Sequence, residues 1–101
     1  MAEYHLTPAA EHDLETIWTH TLERWGAGQT NHYTDILTAA FAELAQSPKT
    51  APACDHIRAG YRRRSVERHM IYFHMIYFRI TAYGIAVVRI LHDRMDVSRH
   101  L

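Results

Sequence analysis

Residues 69–80 read HMIYFHMIYFRI, and this stretch decides the fold. It contains no acid, glycine or proline, and it is rich in Ile, Tyr and Phe, which suit a strand in a half-buried sheet. The segment before it is able to cover one face of such a sheet, and the segment after it is able to pair with its edge. We therefore expect the rest of the chain to be arranged around this strand.

A first amphipathic helix is predicted over residues 8–25. Thr7 can cap this helix, Pro8 suits its first position, and Gly26 can close it in a left-handed conformation. Acids in its first turns, Asp13 among them, are expected to interact favourably with the helix dipole. Its apolar residues share one face and are expected to form the core under the sheet: Leu14, Ile17, Trp18, Leu22 and Trp25.

A second helix begins around residues 28–30 and ends at Ser47-Pro48, because the residue before a proline avoids helical geometry. Its apolar residues again recur at three- and four-residue steps. Two such helices joined by a few residues predict an antiparallel helical hairpin. Each needs a partner for its apolar face, and the sheet is the only candidate.

Four strands are predicted around this hairpin. A short strand over residues 4–6 precedes the first helix, and an arginine-rich strand over residues 61–66 follows a connecting loop. The central stretch and residues 85–91 form the last two strands, joined by a turn at residues 82–84. The last strand is near-continuously apolar, as a strand buried on both faces would be. The order β-α-α-β-β-β predicts an α+β fold of two layers, with the helical hairpin packed on an antiparallel sheet.

The central stretch carries an exact repeat, because residues 69–73 recur as residues 74–78. Five is odd and the strand period is two, so the two copies would be out of phase in one unbroken strand. We expect the second copy to hold the sheet register, because it stays a fixed distance from the following turn. The first copy would then lengthen the connection after Val66 or be absorbed by a bulge. Strand exchange between two chains is the alternative.

Length and composition predict one small domain over residues 1–101. Apolar residues make up 48% of the chain, charged residues 22%, and the formal charge is zero. No apolar run is long enough to span a membrane, and the first residues show no signal-peptide pattern. Cys54 is the single cysteine and excludes an internal disulfide. We therefore expect a cytoplasmic protein. Nine scattered histidines show no metal-ligand spacing, so no metal or cofactor is expected.

Four segments in this order resemble the ParE toxins of the RelE/ParE toxin–antitoxin superfamily. The most specific is the last, where a strand leads into Leu-His, followed by Met and a terminal His-Leu. The likeness spans nearly the whole chain, and its segments are residues 6–18, 24–26, 58–62 and 89–101. The resemblance implies a toxin that acts on DNA gyrase, neutralised by a ParD-type antitoxin whose C-terminal segment wraps it. No cofactor or metal is implied.

Two groups of residues are candidates for these contacts. The acids are concentrated early in the chain and the arginines late, which predicts a polar molecule despite zero net charge. In a strand, Arg62 and Arg64 share one face while Arg63 takes the other. The candidates for antitoxin binding are Arg58, Tyr61, Arg62, Arg63 and Arg64. The candidates for target binding, on the last strand and tail, are Arg89, His92, Arg94, Met95 and Arg99.

Two alternatives stay open. RelE-type relatives cleave messenger RNA on the ribosome, which needs a base, an acid and cations for the phosphate. His92, Glu67, Arg62 and Arg64 could supply these groups, although Asp93 and Asp96 place acids where a phosphate would bind. The other alternative is a non-toxic interaction module, or a toxin inactivated by the duplication, whose exposed apolar surface a partner helix or strand completes.

Overall fold

The computed structural model describes residues 2–66, 74–92 and 95–101. Its elements follow the order β1 (Glu3–Leu6), α1 (Pro8–Gln46), β2 (Tyr61–Ser65), β3 (His74–Thr81) and β4 (Gly84–His92). Short 3-10 turns lie at Pro48–Thr50 and Val97–Arg99. The predicted α+β class is confirmed. Within the described ranges, no helix combines the length and hydropathy that a bilayer crossing requires.

The two predicted helices are present as one helical element that is broken at Gly26. The side chain of Thr7 caps α1 by accepting from the amide of Ala10 at 3.2 Å, and Pro8 opens the helix. At Gly26 the backbone turns to φ 85°, ψ 174°, which separates an arm of residues 8–25 from an arm of residues 27–46. Both arms pack on the same core, so the predicted helical pair covers one face of the sheet.

The sheet has the order β1-β4-β3-β2 and is mixed. β2, β3 and β4 are antiparallel to one another, as predicted. β1, however, pairs in parallel with β4, from Glu3 opposite Gly84 to Leu6 opposite Val87, so the prediction of a wholly antiparallel sheet was wrong. Residues 7–83 separate these two strands in the chain. A connection of that length permits either strand direction, so local sequence pattern could not decide it.

A bulge in β4 helps to attach the start of α1. Tyr77 pairs with Arg89 but the next residue, Phe78, pairs with Val87, which leaves Val88 as the extra residue. The carbonyl of Val88 accepts from the hydroxyl of Thr7 at 2.9 Å, and the Val87 carbonyl accepts from the Thr7 amide at 3.0 Å. Thr7, the cap residue of α1, is therefore hydrogen-bonded to β4, one of the two inner strands of the sheet.

The main core lies between α1 and the sheet. Trp18 and Trp25 were predicted to belong to it, and this was wrong, since they are 43% and 49% exposed. The buried side chains of the first arm are instead small or polar, namely Ala10, Asp13 and Thr21. The largest fully buried side chains of the main core are Tyr33, Leu37, Phe41, Leu44, Ile76, Phe78, Ile85 and Val87.

A second, smaller core covers the opposite face of the sheet. Cys54, Tyr77 and Leu91 are its buried members. The loop after α1, strands β2 and β3 and the C-terminal tail each contribute partly buried side chains that pack on them, namely Ile57, Tyr61, Met75, Met95, Val97 and Leu101. β4 is accordingly buried on both faces, as its apolar sequence predicted.

The second copy of the repeat lies in the sheet, as predicted. Residues 74–78 belong to β3 and pair with β2 on one side and β4 on the other. Ile76 and Phe78 face the main core, while Met75 and Tyr77 face the second core. The first copy, residues 69–73, lies outside the described residues, so its predicted position stays a prediction.

Candidate functional site

Arg89, predicted to contact a target, is an internal anchor. Its guanidinium donates to both carboxylate oxygens of Asp13, from Nε at 2.7 Å and from Nη2 at 2.8 Å. The same carboxylate accepts from the backbone amide of Ile90 at 2.9 Å. Through Nη1 the guanidinium also donates to the carbonyl of His100 at 3.1 Å. Arg89 thus ties the first arm of α1, β4 and the C-terminal tail together.

The Asp13–Arg89 ion pair is largely shielded from water. The side chains of Arg89 and Asp13 are 18% and 8% exposed. The hydrogen bond to Asp13 raises the pKa of Arg89 above its ordinary value, an effect that burial opposes and the negative charge of Asp13 reinforces. Sequence analysis assigned Asp13 to the helix dipole and missed this role. Its spacing was informative, because it lies three residues after Ala10 and four before Ile17, on the face that packs on the sheet.

The C-terminal tail lies along the second core. Met95, predicted to contact a target, packs against this core, and Leu101 joins it. Arg99 stays at the surface, where its side chain is 82% exposed and reaches Asp96 at 3.7 Å. Asp96 also accepts from the amide and hydroxyl of Ser98 at 3.1 and 2.7 Å, which shapes the Val97–Arg99 turn. Of the target-binding candidates, the structure therefore presents Arg99 most fully, while Arg94 lies outside the described residues.

His92 ends β4 beside a buried polar pair. It stands opposite His74 in the ladder, and the two rings meet edge-to-face with centroids 6.4 Å apart. His74 is 7% exposed, and its Nδ1 lies 2.7 Å from the hydroxyl of buried Tyr33. Sequence analysis gave no role to Tyr33 or His74 in this cluster. A tyrosine on the buried face of α1 is a signal that its hydroxyl needs a polar partner.

The predicted antitoxin-binding residues of β2 divide between the two faces of the sheet, as their alternation predicted. Arg64 pairs with Glu43 of α1 at 3.2 Å, and Arg62 donates to the carbonyl of Ala51 at 2.7 Å. Arg63 lies on the other face, near Cys54. Burial raises the pKa of the Cys54 thiol, and the positive charge of Arg63 partly opposes this increase. β2 is an edge strand, and residues 52–54 bond to part of its outer edge.

The other two candidates for antitoxin binding lie at the start of β2. The guanidinium of Arg58 stacks over the ring of Tyr61 at 5.7 Å from its centroid. Arg58 is exposed, and Tyr61 is half-buried against the second core. Together with Arg63, they form a basic and aromatic surface at the β2 edge.

The structure does not assemble the residues of the predicted nuclease site. β3 lies between His92 on β4 and Arg62 and Arg64 on β2. Neighbouring strands are about 4.8 Å apart, so these backbones are separated by roughly 10 Å. Both arginines already have partners, and Glu67 lies outside the described residues. Residues 2–66, 74–92 and 95–101 contain no group of three or more side chains able to hold a metal ion.

Comparison with known proteins identifies the family. Residues 4–97 match the family model described as the ParE toxin of type II toxin–antitoxin system, parDE. The chain belongs to the ParE toxin family. It is 44% identical to Toxin ParE1 of two Mycobacterium tuberculosis strains, CDC 1551 / Oshkosh and H37Rv, over 99% of this chain and 98% of theirs. Toxin ParE1 of Caulobacter vibrioides is 31% identical over 100% of this chain and 99% of its own.

A solved structure supports the ParE fold. The chain titled "Chromosomal ParDE TA system from P. aeruginosa" superimposes with a TM-score of 0.75 at 21% identity, over 91% of this chain and 96% of that one. The family resemblance noted in the sequence is thus confirmed. The residues that carried it at the C-terminus, Arg89 and His100, are the ones that hold the tail in place.

Proposed function

We propose that this ParE-family toxin acts in the cytoplasm, inhibits DNA gyrase and is neutralised by a ParD-type antitoxin. The observation that carries the proposal is the anchored C-terminal tail. The Asp13–Arg89 pair and the second core hold residues 95–101 in a defined position, and Arg99 projects from it. A fixed tail with an exposed cation suits recognition of a partner surface better than chemistry on a substrate.

The nuclease alternative receives less support from the same geometry. Cleavage of RNA requires a base and cations within reach of one phosphate. On β2, Arg62 and Arg64 are held by Ala51 and Glu43, and β3 separates them from His92 on β4. Using them would require breaking both contacts. We therefore favour gyrase inhibition without catalysis by the toxin itself.

Two exposed surfaces support an antitoxin partner. The β2 edge presents Arg58 and Arg63, which suit an acidic segment. Trp18 and Trp25 lie seven residues apart on one side of the first arm of α1 and are about half exposed, which suits the apolar side of an amphipathic helix. We propose that the antitoxin segment is acidic and amphipathic and that it covers both surfaces.

Induction in cells tests the target. We expect growth arrest with gyrase-dependent DNA breaks and intact messenger RNA. Arg99→Ala should reduce the breaks, whereas Arg79→Ala, which removes an exposed arginine of β3 outside the predicted sites, should not. Messenger RNA cleavage that disappears in His92→Ala would instead establish the nuclease function.

Co-expression with a ParD-type antitoxin tests the partner. We expect it to restore growth and to bind the purified toxin more weakly as salt is raised. We expect two double variants each to weaken binding at least about tenfold. One combines Arg58→Ala with Arg63→Ala, and the other combines Trp18→Ala with Trp25→Ala. Equal binding by both double variants and the parent would contradict the proposed surface. Growth arrest without rescue by any antitoxin would contradict the partner.

A further inference from the structure

The place in the sheet that the second repeat copy fills is defined by contacts of its five side chains. His74 meets the hydroxyl of Tyr33, and Ile76 and Phe78 are fully buried in the main core. Tyr77 is 4% exposed in the second core, and Met75 packs beside it. We call this set of contacts the β3 slot. In the structure, the sequence His-Met-Ile-Tyr-Phe makes these contacts.

Residues 69–73 have the same sequence, so a shift of the chain by five residues would satisfy the β3 slot equally well. Because a whole copy moves, each side chain type keeps its face of the sheet. The shift changes side chains at three further positions of β3, where His74, Met75 and Ile76 would replace Arg79, Ile80 and Thr81. Those three positions are exposed or half-buried.

The connections on either side of β3 exchange lengths in such a shift. Seven residues, 67–73, separate Val66 from His74 in sequence, and two, Ala82 and Tyr83, separate β3 from β4. After the shift, residues 67–68 would form the first connection and residues 77–83 the second. Two-residue connections are the commonest in β-hairpins. Both registers therefore have one connection of seven residues and one of two residues, so the entropy of loop closure is nearly the same in the two registers.

We infer that β3 has two registers in one chain, with either copy of the pentapeptide able to fill the β3 slot. The second copy fills it in the structure, and the first is a spare of identical sequence. Within the five slot positions the shift preserves the contacts with α1 and β4, and the changed side chains lie at the three exposed or half-buried positions opposite residues 84–86 of β4. This inference concerns the fold and stands independently of the proposed function.

Alanine variants test whether the spare copy rescues the fold. Deleting residues 69–73 or residues 74–78 gives the same 96-residue sequence, which serves as the one-copy control. Ile→Ala at the slot position of that chain should raise the unfolding equilibrium constant about 30-fold or more. In the full chain, we expect the unfolding equilibrium constant of Ile76→Ala to be at least about tenfold smaller than that of the double variant Ile71→Ala with Ile76→Ala. Urea unfolding measures both constants. Equal effects of the single and double variants would overturn the inference.

Protein concentration separates exchange within a chain from exchange between chains. Rescue within one chain is independent of concentration, and Ile76→Ala should elute at the same volume as the parent in size-exclusion chromatography. If rescue requires a dimer, the inference is overturned in favour of strand exchange between two copies.

Disulfide trapping tests the shifted register directly. Arg63 stands opposite Tyr77 in the structure, and Tyr72 would stand there after the shift. In a Cys54→Ala background, Arg63→Cys with Tyr77→Cys should form a disulfide under native oxidation, and Arg63→Cys with Tyr72→Cys should do so more slowly. The matched control pairs Arg63→Cys with Ile71→Cys, which faces the other side in that register. A 63–72 disulfide that forms no faster than the 63–71 disulfide would overturn the inference.

Discussion

The carboxylate of Asp13 and the guanidinium of Arg89 form a two-point ion pair across 76 positions of sequence, at 2.7 and 2.8 Å. The same contact extends to the amide of Ile90 and, through the guanidinium, to the carbonyl of His100. The carboxylate of Asp13 therefore couples α1 to β4 and, through Arg89, to the C-terminal tail. Changing that carboxylate should affect all three.

Asp13→Asn is expected to destabilise the protein by about 3 kcal/mol, because it leaves the charge of Arg89 largely buried without its counter-ion. Urea unfolding measures the change. Glu11→Gln, an exposed acid in the same helix turn, should change stability by less than about 0.5 kcal/mol. Equal effects of the two substitutions would show that the pair contributes no more than a surface charge. The tail should also become more susceptible to proteolysis in Asp13→Asn, since His100 loses a positioned donor.

Gly84→Ala is expected to disrupt the contact of β1 with β4. A Cβ at this position would overlap the carbonyl oxygen of Glu3 and lie 2.7 Å from its carbonyl carbon, so the two backbones would have to separate. We expect a loss of about 3 kcal/mol or more. Gly28→Ala is the matched control, because nothing lies within 4 Å of its Cβ position. That substitution lies in α1 and should stabilise the helix by up to about 1 kcal/mol. Thermal unfolding of both variants would give the comparison.

Tyr33→Phe is expected to cost about 1–2 kcal/mol, because it removes the hydroxyl that lies 2.7 Å from Nδ1 of buried His74. Tyr83 is 78% exposed, and Tyr83→Phe should have no measurable effect. Free energies of unfolding from urea titration distinguish the two. If both substitutions were neutral, the buried contact would make no net contribution to stability.

Cys54 is expected to make stability fall at high pH. Burial raises the pKa of its thiol, Arg63 opposes this and Asp55 adds to it. Because the pKa in the folded state lies above that in the unfolded state, the stabilising contribution is complete below the unfolded pKa. It is lost as pH rises through the folded pKa. The stability of the parent relative to Cys54→Ala should therefore fall as the pH rises above the ordinary pKa of a cysteine thiol, about 8.5. A constant difference would contradict the prediction.

Sequence was most informative where the signal was local. Thr7-Pro8, Gly26 and Ser47-Pro48 marked the helix ends, because capping, positive φ and the restriction before proline act on adjacent residues. The position of the second repeat copy followed from its distance to the turn before Gly84.

Contacts between distant parts of the chain were predicted less well. The parallel pairing of β1, the Asp13–Arg89 pair and the tail over the second core each join segments far apart in sequence. The tryptophans were misplaced for a related reason. The first arm buries the small side chains of Ala10 and Thr21, while the larger Trp18 and Trp25 are about half exposed.

The position of β4 has a consequence for synthesis. Of the four strands in the described residues it is synthesised last, yet it joins β1 to the rest of the sheet and ends only at His92. Neither the parallel ladder with β1 nor the Asp13 contact can form until residues 84–90 have been synthesised. Non-local pairing of this kind delays folding. A nascent chain or a fragment that ends before β4 would therefore lack the native sheet, and a folded toxin would be present only once β4 has been synthesised.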